Sequence, residues 1–266
     1  MNNEFSWVGS QKNYVDEKFI CNVNHVTVGL FGGNSSAGQY KNEDGCLEWT
    51  NTKHDWEFVM LLDAHNTAES AELVLNTFEQ KKSDIQEGLS LSVNNFFKKI
   101  GEIVLNIFHD EEFRTKCKRI KGETACIIVV RKDKYIWWFS IGDGIFHLFH
   151  PELISLGQYQ VNQRHFYQWV GQVNTFDQPV PCFSSGTIEL RNGYNYLFLT
   201  TDGLTECPGK LYSDPREILK VLSMVENKDA VYYLLKDIEA KNVRDSTTII
   251  SWKIAVSKSA TIASDQ

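Results

Sequence analysis

The sequence predicts an α+β sandwich, and three observations carry that prediction. Short β-branched and aromatic runs recur along the 266 residues, as the extended segments of a sheet do. Turn chemistry at Arg131-Lys132-Asp133-Lys134 and Arg191-Asn192-Gly193-Tyr194 predicts tight hairpins, and hairpins imply antiparallel pairing. The helical patterns come in two clusters and do not alternate with strands, which argues for helical layers packed on sheets.

Taken in order, a first strand is predicted at 25–31 and a second at 58–62. Helices follow at 67–78 and 91–108; in the latter Val93, Phe96, Phe97, Ile100, Val104, Ile107 and Phe108 repeat at helical spacing. A meander of strands is predicted at 124–131, 134–141, 145–149, 187–190 and 196–200. Trp137 and Trp138 fall on opposite faces of their strand, one filling a core and the other meeting a packed layer. Asp214-Pro215-Arg216-Glu217 opens a helix with an N-cap acid and a proline at N1, and Ile218, Leu219, Leu222 and Val225 share one face of it. A further helix is predicted at 230–238 and a last strand at 247–254. Residues 1–256 read as one domain, since no Gly/Ser-rich linker interrupts them, and 257–266 as a polar, mobile tail.

With 42% hydrophobic and 23% charged residues the chain has the make-up of a soluble globular protein. A formal charge of -7 and the lack of any basic stretch argue against a nucleic-acid-binding surface. The N-terminus lacks a basic head followed by an apolar core, and no apolar run is long enough to span a membrane, so a cytoplasmic monomer is expected. The six cysteines (21, 46, 117, 126, 182, 207) contain no C-x-x-C pair and read as reduced thiols, neither a disulfide framework nor a zinc site.

The chemistry lies in lone acids at the ends of apolar runs. Asn42-Glu43-Asp44-Gly45 precedes the first of them, and the run Trp56 to Leu62 ends at Asp63-Ala64-His65. Gly142-Asp143-Gly144 follows a strand, Asp202-Gly203 follows another, and Asp245 opens the last. Singly, each is an ordinary turn, and Asp143 alone reads as the tip of a hairpin. Gathered at one sheet rim, carboxylates repel unless cations sit between them, so the set asks for a metal.

In content and order these segments resemble the metal-dependent protein phosphatases of type 2C. The resemblance is carried by Asn42-Glu43-Asp44, Asp63-Ala64-His65-Asn66-Thr67, Gly122-Glu123-Thr124-Ala125, Gly142-Asp143-Gly144, Asp202-Gly203-Leu204-Thr205-Glu206 and Asp245-Ser246, and spans roughly 25–254. It implies a four-layer α-β-β-α sandwich, two mainly antiparallel sheets flanked by helices. It also implies two Mn²⁺ or Mg²⁺ ions, as oxygen ligands favour, with Asp63 bridging them. Glu43 and Asp44 match the acidic pair of the first turn, Asp202 and Asp245 complete one ion's shell, the Ala64 carbonyl reaches the other, and Asp143 marks a third, weaker position. The implied reaction is hydrolysis of phosphoserine or phosphothreonine in a protein substrate. A water between two cations attacks phosphorus in line, and His65 protonates the departing alkoxide. On residues alone His65 also reads as a turn or capping residue.

Four departures accompany the resemblance. The position of the family's phosphate-gripping arginine is Gln39, leaving Lys41 as a nearby point charge. Glycines after Asp63 become Ala64, Asn66 and Thr67; Ala64 serves if its φ is negative, and Asn66 or Thr67 then caps the next helix. Gly144 and Ser246 replace a serine and an asparagine. The metal acids survive and the losses fall on substrate grip. An inactive metal- or partner-binding relative and a hydrolase of small phosphomonoesters are therefore the alternatives. The polar, aromatic stretch 151–185 is the candidate for substrate choice.

Overall fold

A computed structural model describes residues 3–262; residues 1, 2 and 263–266, the last four belonging to the tail read from the sequence, lie outside it. The first half of the chain contains β1 (Glu4–Val8), β2 (Lys18–Val23), β3 (Val26–Phe31), β4 (Gly45–Asn51) and β5 (Trp56–His65). Four helices follow, α1 (Glu69–Gln80), α2 (Lys82–Ser90), α3 (Val93–His109) and α4 (Glu111–Cys117). Next come β6 (Glu123–Lys132), β7 (Tyr135–Ile141), β8 (Ile145–Phe149), α5 (Pro151–Ser155), β9 (Val170–Gly171), β10 (Ser184–Glu189) and β11 (Gly193–Thr200). The chain closes with α6 (Asp202–Thr205), α7 (Pro215–Met224), α8 (Asn227–Ala240) and β12 (Thr247–Val256).

Two antiparallel sheets result. One runs β1-β4-β5-β6-β7-β10 with β9 attached to β6, and the other runs β2-β3-β12-β11-β8. The period-2 pattern of the strands sorts their side chains into layers. On β5, Phe58, Met60 and Leu62 face a core shared with α1 to α4, whereas Val59 and Leu61 enter the core between the sheets. On β12, Ile250 and Trp252 face that same central core and Ile249 turns to the outer core formed with α6 to α8. This is the four-layer α-β-β-α sandwich.

The apolar stripe of α3 buries Phe96, Ile100, Val104, Ile107 and Phe108 on the first sheet. Each such side chain contributes roughly 1.5–3 kcal/mol, so the long amphipathic helix is held by its tertiary face. Asp214 caps α7 as its sequence predicts, accepting from the Arg216 N–H at 3.0 Å. Trp137 joins the helix-facing core and Trp138 packs against the inter-sheet core.

Two connections differ from their sequence reading. The hairpin expected at 191–194 does not form, because β10 pairs with β7 in one sheet and β11 with β8 and β12 in the other. There the chain crosses the sandwich behind fully buried Leu190, and the Asn195 side chain closes the loop by bonding both the N–H and the carbonyl of Arg191. Gly142-Asp143-Gly144 is likewise a crossing between sheets, joining β7 to β8, and not a hairpin tip. The Arg131 to Lys134 hairpin does form, with Lys132 opposite Tyr135 and Asp133 at φ 53°.

The described part of the polar tail is tied down: Lys258 meets Asp133, the Lys134 ammonium donates to the Ser259 carbonyl, and the Thr261 N–H donates to Glu189. Among the described residues no helix is long and apolar enough to cross a membrane. All six cysteines are free.

Candidate metal and catalytic site

Each acid reaches the site through its own piece of backbone, and two glycines make the approach possible. Asp63 lies on β5 opposite Ala125 of β6. Against that same Ala125 presses Gly142, at φ 83°, where a Cβ would sit 2.5 Å from the alanine Cβ. Only glycine tolerates both the dihedral and the contact, so Asp143 is delivered beside Asp63. From the second sheet, Asp202 begins α6. A Cβ on the next residue, Gly203, would fall 2.1 Å from the Ser246 carbonyl, so glycine lets Asp202 close on the Asp245-Ser246 turn. Asp44 stands just before β4, and its Oδ2 accepts from Thr248 Oγ1 at 2.7 Å and Thr201 Oγ1 at 3.4 Å. Those two threonines, at the head of β12 and the tail of β11, tie a first-sheet acid to the second sheet.

The acids therefore meet where both sheets end, and their ionisation shows it. Burial pushes the Asp63 carboxyl well above its usual range, and Asp44, Asp202, Asp245 and Asp143 push it further. Asp44 is raised by burial and by Asp245 and Asp202, with the threonine hydroxyls opposing. Asp202 is pushed up to about 7 by desolvation and by Asp245, Asp143 and Glu206, against the pull of Arg164. Asp245 is raised by desolvation, opposed by its own backbone bond to Ser246 and by His65. Asp63 Oδ2 and Asp143 Oδ1 are buried with no hydrogen-bond partner. A buried carboxylate oxygen without a donor costs free energy that a cation would recover.

Among the described residues no three His, Cys, Asp or Glu side chains are drawn tightly enough together to cage an ion as they stand. The donors that converge are carboxylate oxygens, the set that suits Mg²⁺ or Mn²⁺.

The remaining predicted residues fall around this rim. Ala64 is buried and is absent from the positive-φ positions, so its carbonyl meets the conformational condition set by the sequence; the left-handed residue is Asn66, at φ 74°. Thr67 Oγ1, and not Asn66, meets the start of α1, accepting from the Glu69 N–H at 3.3 Å. His65 is exposed, with Nδ1 3.8 Å from Asp63 Oδ1 and its ring 4.8 Å from the Trp169 ring. The Lys41 ammonium is held by Glu43 at 2.5 Å and by the Asn66 carbonyl at 2.8 Å, so its charge is already matched. Gln39 Nε2 lies 3.4 Å from Ser246 Oγ.

Four contributors were not assigned from sequence: Thr201, Thr248, Trp169 and Arg164. The last donates from Nε to the Asp143 carbonyl at 2.7 Å and so braces the loop carrying that acid. Trp169 and Arg164 belong to the polar, aromatic residues of the stretch read as the candidate for substrate choice, without a role of their own there. Two histidines on and just after β8 are structural. His147 is buried, its Nδ1 3.3 Å from the Tyr159 carbonyl, and burial lowers its pKa to about 4. His150 caps α5 through the Glu152 N–H.

No family model matches the chain, and no curated protein matches it by sequence. Solved structures do match it. A bacterial serine phosphatase superposes with a TM-score of 0.66 at 14% identity, covering 88% of this chain and 98% of that one. Serine/threonine phosphatase Stp1 from Staphylococcus aureus gives 0.59 at 14% identity over 90% of this chain and 94% of its own. RsbX in complex with magnesium gives 0.54 at 13% identity, over 89% of this chain and 100% of its own. At these identities the likeness speaks for the fold. The chain has the sandwich of the metal-dependent serine/threonine phosphatases.

Proposed function

We propose that this chain is a Mg²⁺/Mn²⁺-dependent phosphomonoester hydrolase acting on phosphoserine and phosphothreonine in protein substrates. The observation that carries the reading is the convergence of Asp44, Asp63, Asp143, Asp202 and Asp245 from both sheets, with two of their buried oxygens unpartnered. Asp63, Asp44, Asp202, Asp245 and Asp143 would hold the ions, with the Ala64 carbonyl as a further oxygen and Glu43, paired with Lys41, in the turn that carries Asp44. When bound, the ions supply the positive charge that a phosphate dianion and an attacking water require at an otherwise acidic rim.

The chain's own residues do the rest. Thr248 and Thr201 fix the direction of the Asp44 carboxylate, as supporting hydrogen bonds do for metal ligands. His65 stands exposed next to Asp63, where its ring can hold a proton for the departing seryl or threonyl oxygen. Trp169 lies against that ring and restricts its orientation. A non-catalytic, metal-binding relative is the second reading, and one observation favours it: Lys41 is spent on Glu43 and does not stand free for phosphate.

Hydrolysis of an aryl phosphate and of phosphoserine and phosphothreonine peptides, with Mn²⁺ and with chelator, tests the proposal. Metal-dependent turnover of the peptides is expected, and Asp63→Ala and Asp202→Ala should each abolish it and weaken Mn²⁺ binding by calorimetry. Mn²⁺ binding without turnover of any substrate would establish the second reading. Turnover of the aryl ester alone would make the chain a small-ester hydrolase.

A further inference from the structure

We infer that Arg164 is the residue that grips the substrate phosphate, in place of the charge missing at position 39, and that the cavity it borders receives the peptide flanking the phosphorylated residue. The inference rests on the hydrolase reading and extends it to the phosphoprotein it selects. Arg164 reaches the rim from the segment between β8 and β9. Its Nε is fixed on the Asp143 carbonyl at 2.7 Å, which sets the guanidinium plane, and the Phe166 ring backs it at 4.7 Å. Its Nη2 has no hydrogen-bond partner, since the nearest carboxylate oxygen, Glu206 Oε1, is 3.7 Å away. The guanidinium is also near enough to Asp202 to oppose the rise of that carboxyl.

A guanidinium anchored by Nε and unpartnered at Nη2 is an incomplete fork. A tetrahedral phosphate at the acid rim offers the oxygen that the donor lacks. The two alternatives read from the sequence are not available: Lys41 is neutralised by Glu43, and Gln39 carries no charge.

The cavity beside Arg164 has a volume of about 650 Å³ and is bounded by Thr205, Glu206, Lys210, His147, Tyr159 and Leu156 among others. It adjoins the acid rim, because Arg164 and Glu206 line it and both act on Asp202. Its walls mix apolar, neutral polar and charged groups, as a site for peptide side chains does and a site for a small ester alone need not. A phosphoserine held by Arg164 therefore places its neighbouring residues in this space.

The experiment uses the full chain loaded with Mn²⁺ and inorganic phosphate as the probe, read by calorimetry, alongside peptide and aryl phosphate kinetics. Arg164→Met should weaken phosphate binding at least tenfold and raise KM for the phosphopeptide by a similar factor. Mn²⁺ affinity should stay within about twofold of the parent. Arg164→Lys can still donate one hydrogen bond to the Asp143 carbonyl but has no fork. It should keep parental Mn²⁺ affinity and melting behaviour while binding phosphate several-fold more weakly. Phosphate affinity unchanged in both variants overturns the inference. So does a loss of Mn²⁺ affinity in step with phosphate affinity in both, which would make Arg164 only a brace for Asp143. Because phosphate binding is read without turnover, a chain that hydrolyses nothing refutes the hydrolase proposal and leaves this measurement standing.

Discussion

Neutralising one site acid should stabilise the metal-free protein, and Asp202→Asn is the clearest case. The folded-state carboxyl is held at about 7 against an ordinary value of 3.8. Between those values the folded protein keeps a proton that the unfolded chain releases, so stability falls as pH rises through the window. A gap of about three units is worth roughly 4 kcal/mol at about 1.4 kcal/mol per unit. The titration is shared with Asp245, so about 2 kcal/mol is a fair share for one residue. For a chain of this size that corresponds to roughly 4–8 °C in Tm. In chelator at pH 8, Asp202→Asn should melt higher than the parent by that amount, and at pH 4, where both carry a neutral group, the two should coincide. Adding Mn²⁺ should reverse the order, because saturating metal stabilises the parent by about 3 kcal/mol at a hundredfold excess over Kd. Equal melting temperatures at pH 8, or a difference as large at pH 4, would refute the idea that the acids are compressed against each other.

Other expectations use different handles. Thr248→Val leaves Asp44 Oδ2 with only the 3.4 Å contact to Thr201 and should reduce Mn²⁺ affinity about tenfold or more by calorimetry, with little change in melting of the chelated protein. Gly203→Ala drives a methyl group to 2.1 Å from the Ser246 carbonyl; a cost of about 1–3 kcal/mol in denaturant unfolding is expected, together with weaker metal binding. His147 is held near 4 by burial, so its neutral form supports the fold above the unfolded value of 6.5 and that support is lost as pH falls toward 4, by up to about 3 kcal/mol. A denaturation series from pH 7 to pH 4 should therefore show a shallower decline in His147→Gln. Gln39→Arg should lower KM for a phosphopeptide more in the Arg164→Met background than in the parent, since a second clamp matters most where the first is gone.

The layers of the fold could be read from the sequence because their signals are local. The continuous apolar runs of β5 and β6, the apolar stripe of α3 and the Asp214-Pro215 start of α7 each need only neighbouring residues to be recognised. The strands that escaped notice are those whose composition disguises them. β4 carries Gly45, Glu48 and Asn51, and Glu48 is fully buried despite its charge, which no propensity foresees. β2 is only partly buried, and the short helices α2 and α4 bury too few residues to show a period. The crossing at 191–194 carries the same residues a hairpin would. Which sheet the next strand joins is decided by pairing with β8 and β12, far along the chain.

The site divides along the same line. An acid at a strand end followed or flanked by glycine is a local pattern, and the physical reason for the glycine becomes visible in the contacts at Gly142 and Gly203, which leave no room for a side chain. The reasons that three such acids meet Asp63 and Asp245 are non-local. Thr248 and Thr201 bind a carboxylate from the other sheet, and Ala125 receives both the pairing of Asp63 and the pressure of Gly142. Substrate grip is more remote still. The sequence pointed to the gap at Gln39 and to Lys41 beside it, but the charge of Lys41 is taken by Glu43, a neighbour two residues away. A cation is useful to a phosphate only if nothing in the protein already satisfies it. By that criterion the rim's grip passes to Arg164, whose Nη2 makes no hydrogen bond and has its nearest carboxylate, Glu206, 3.7 Å away.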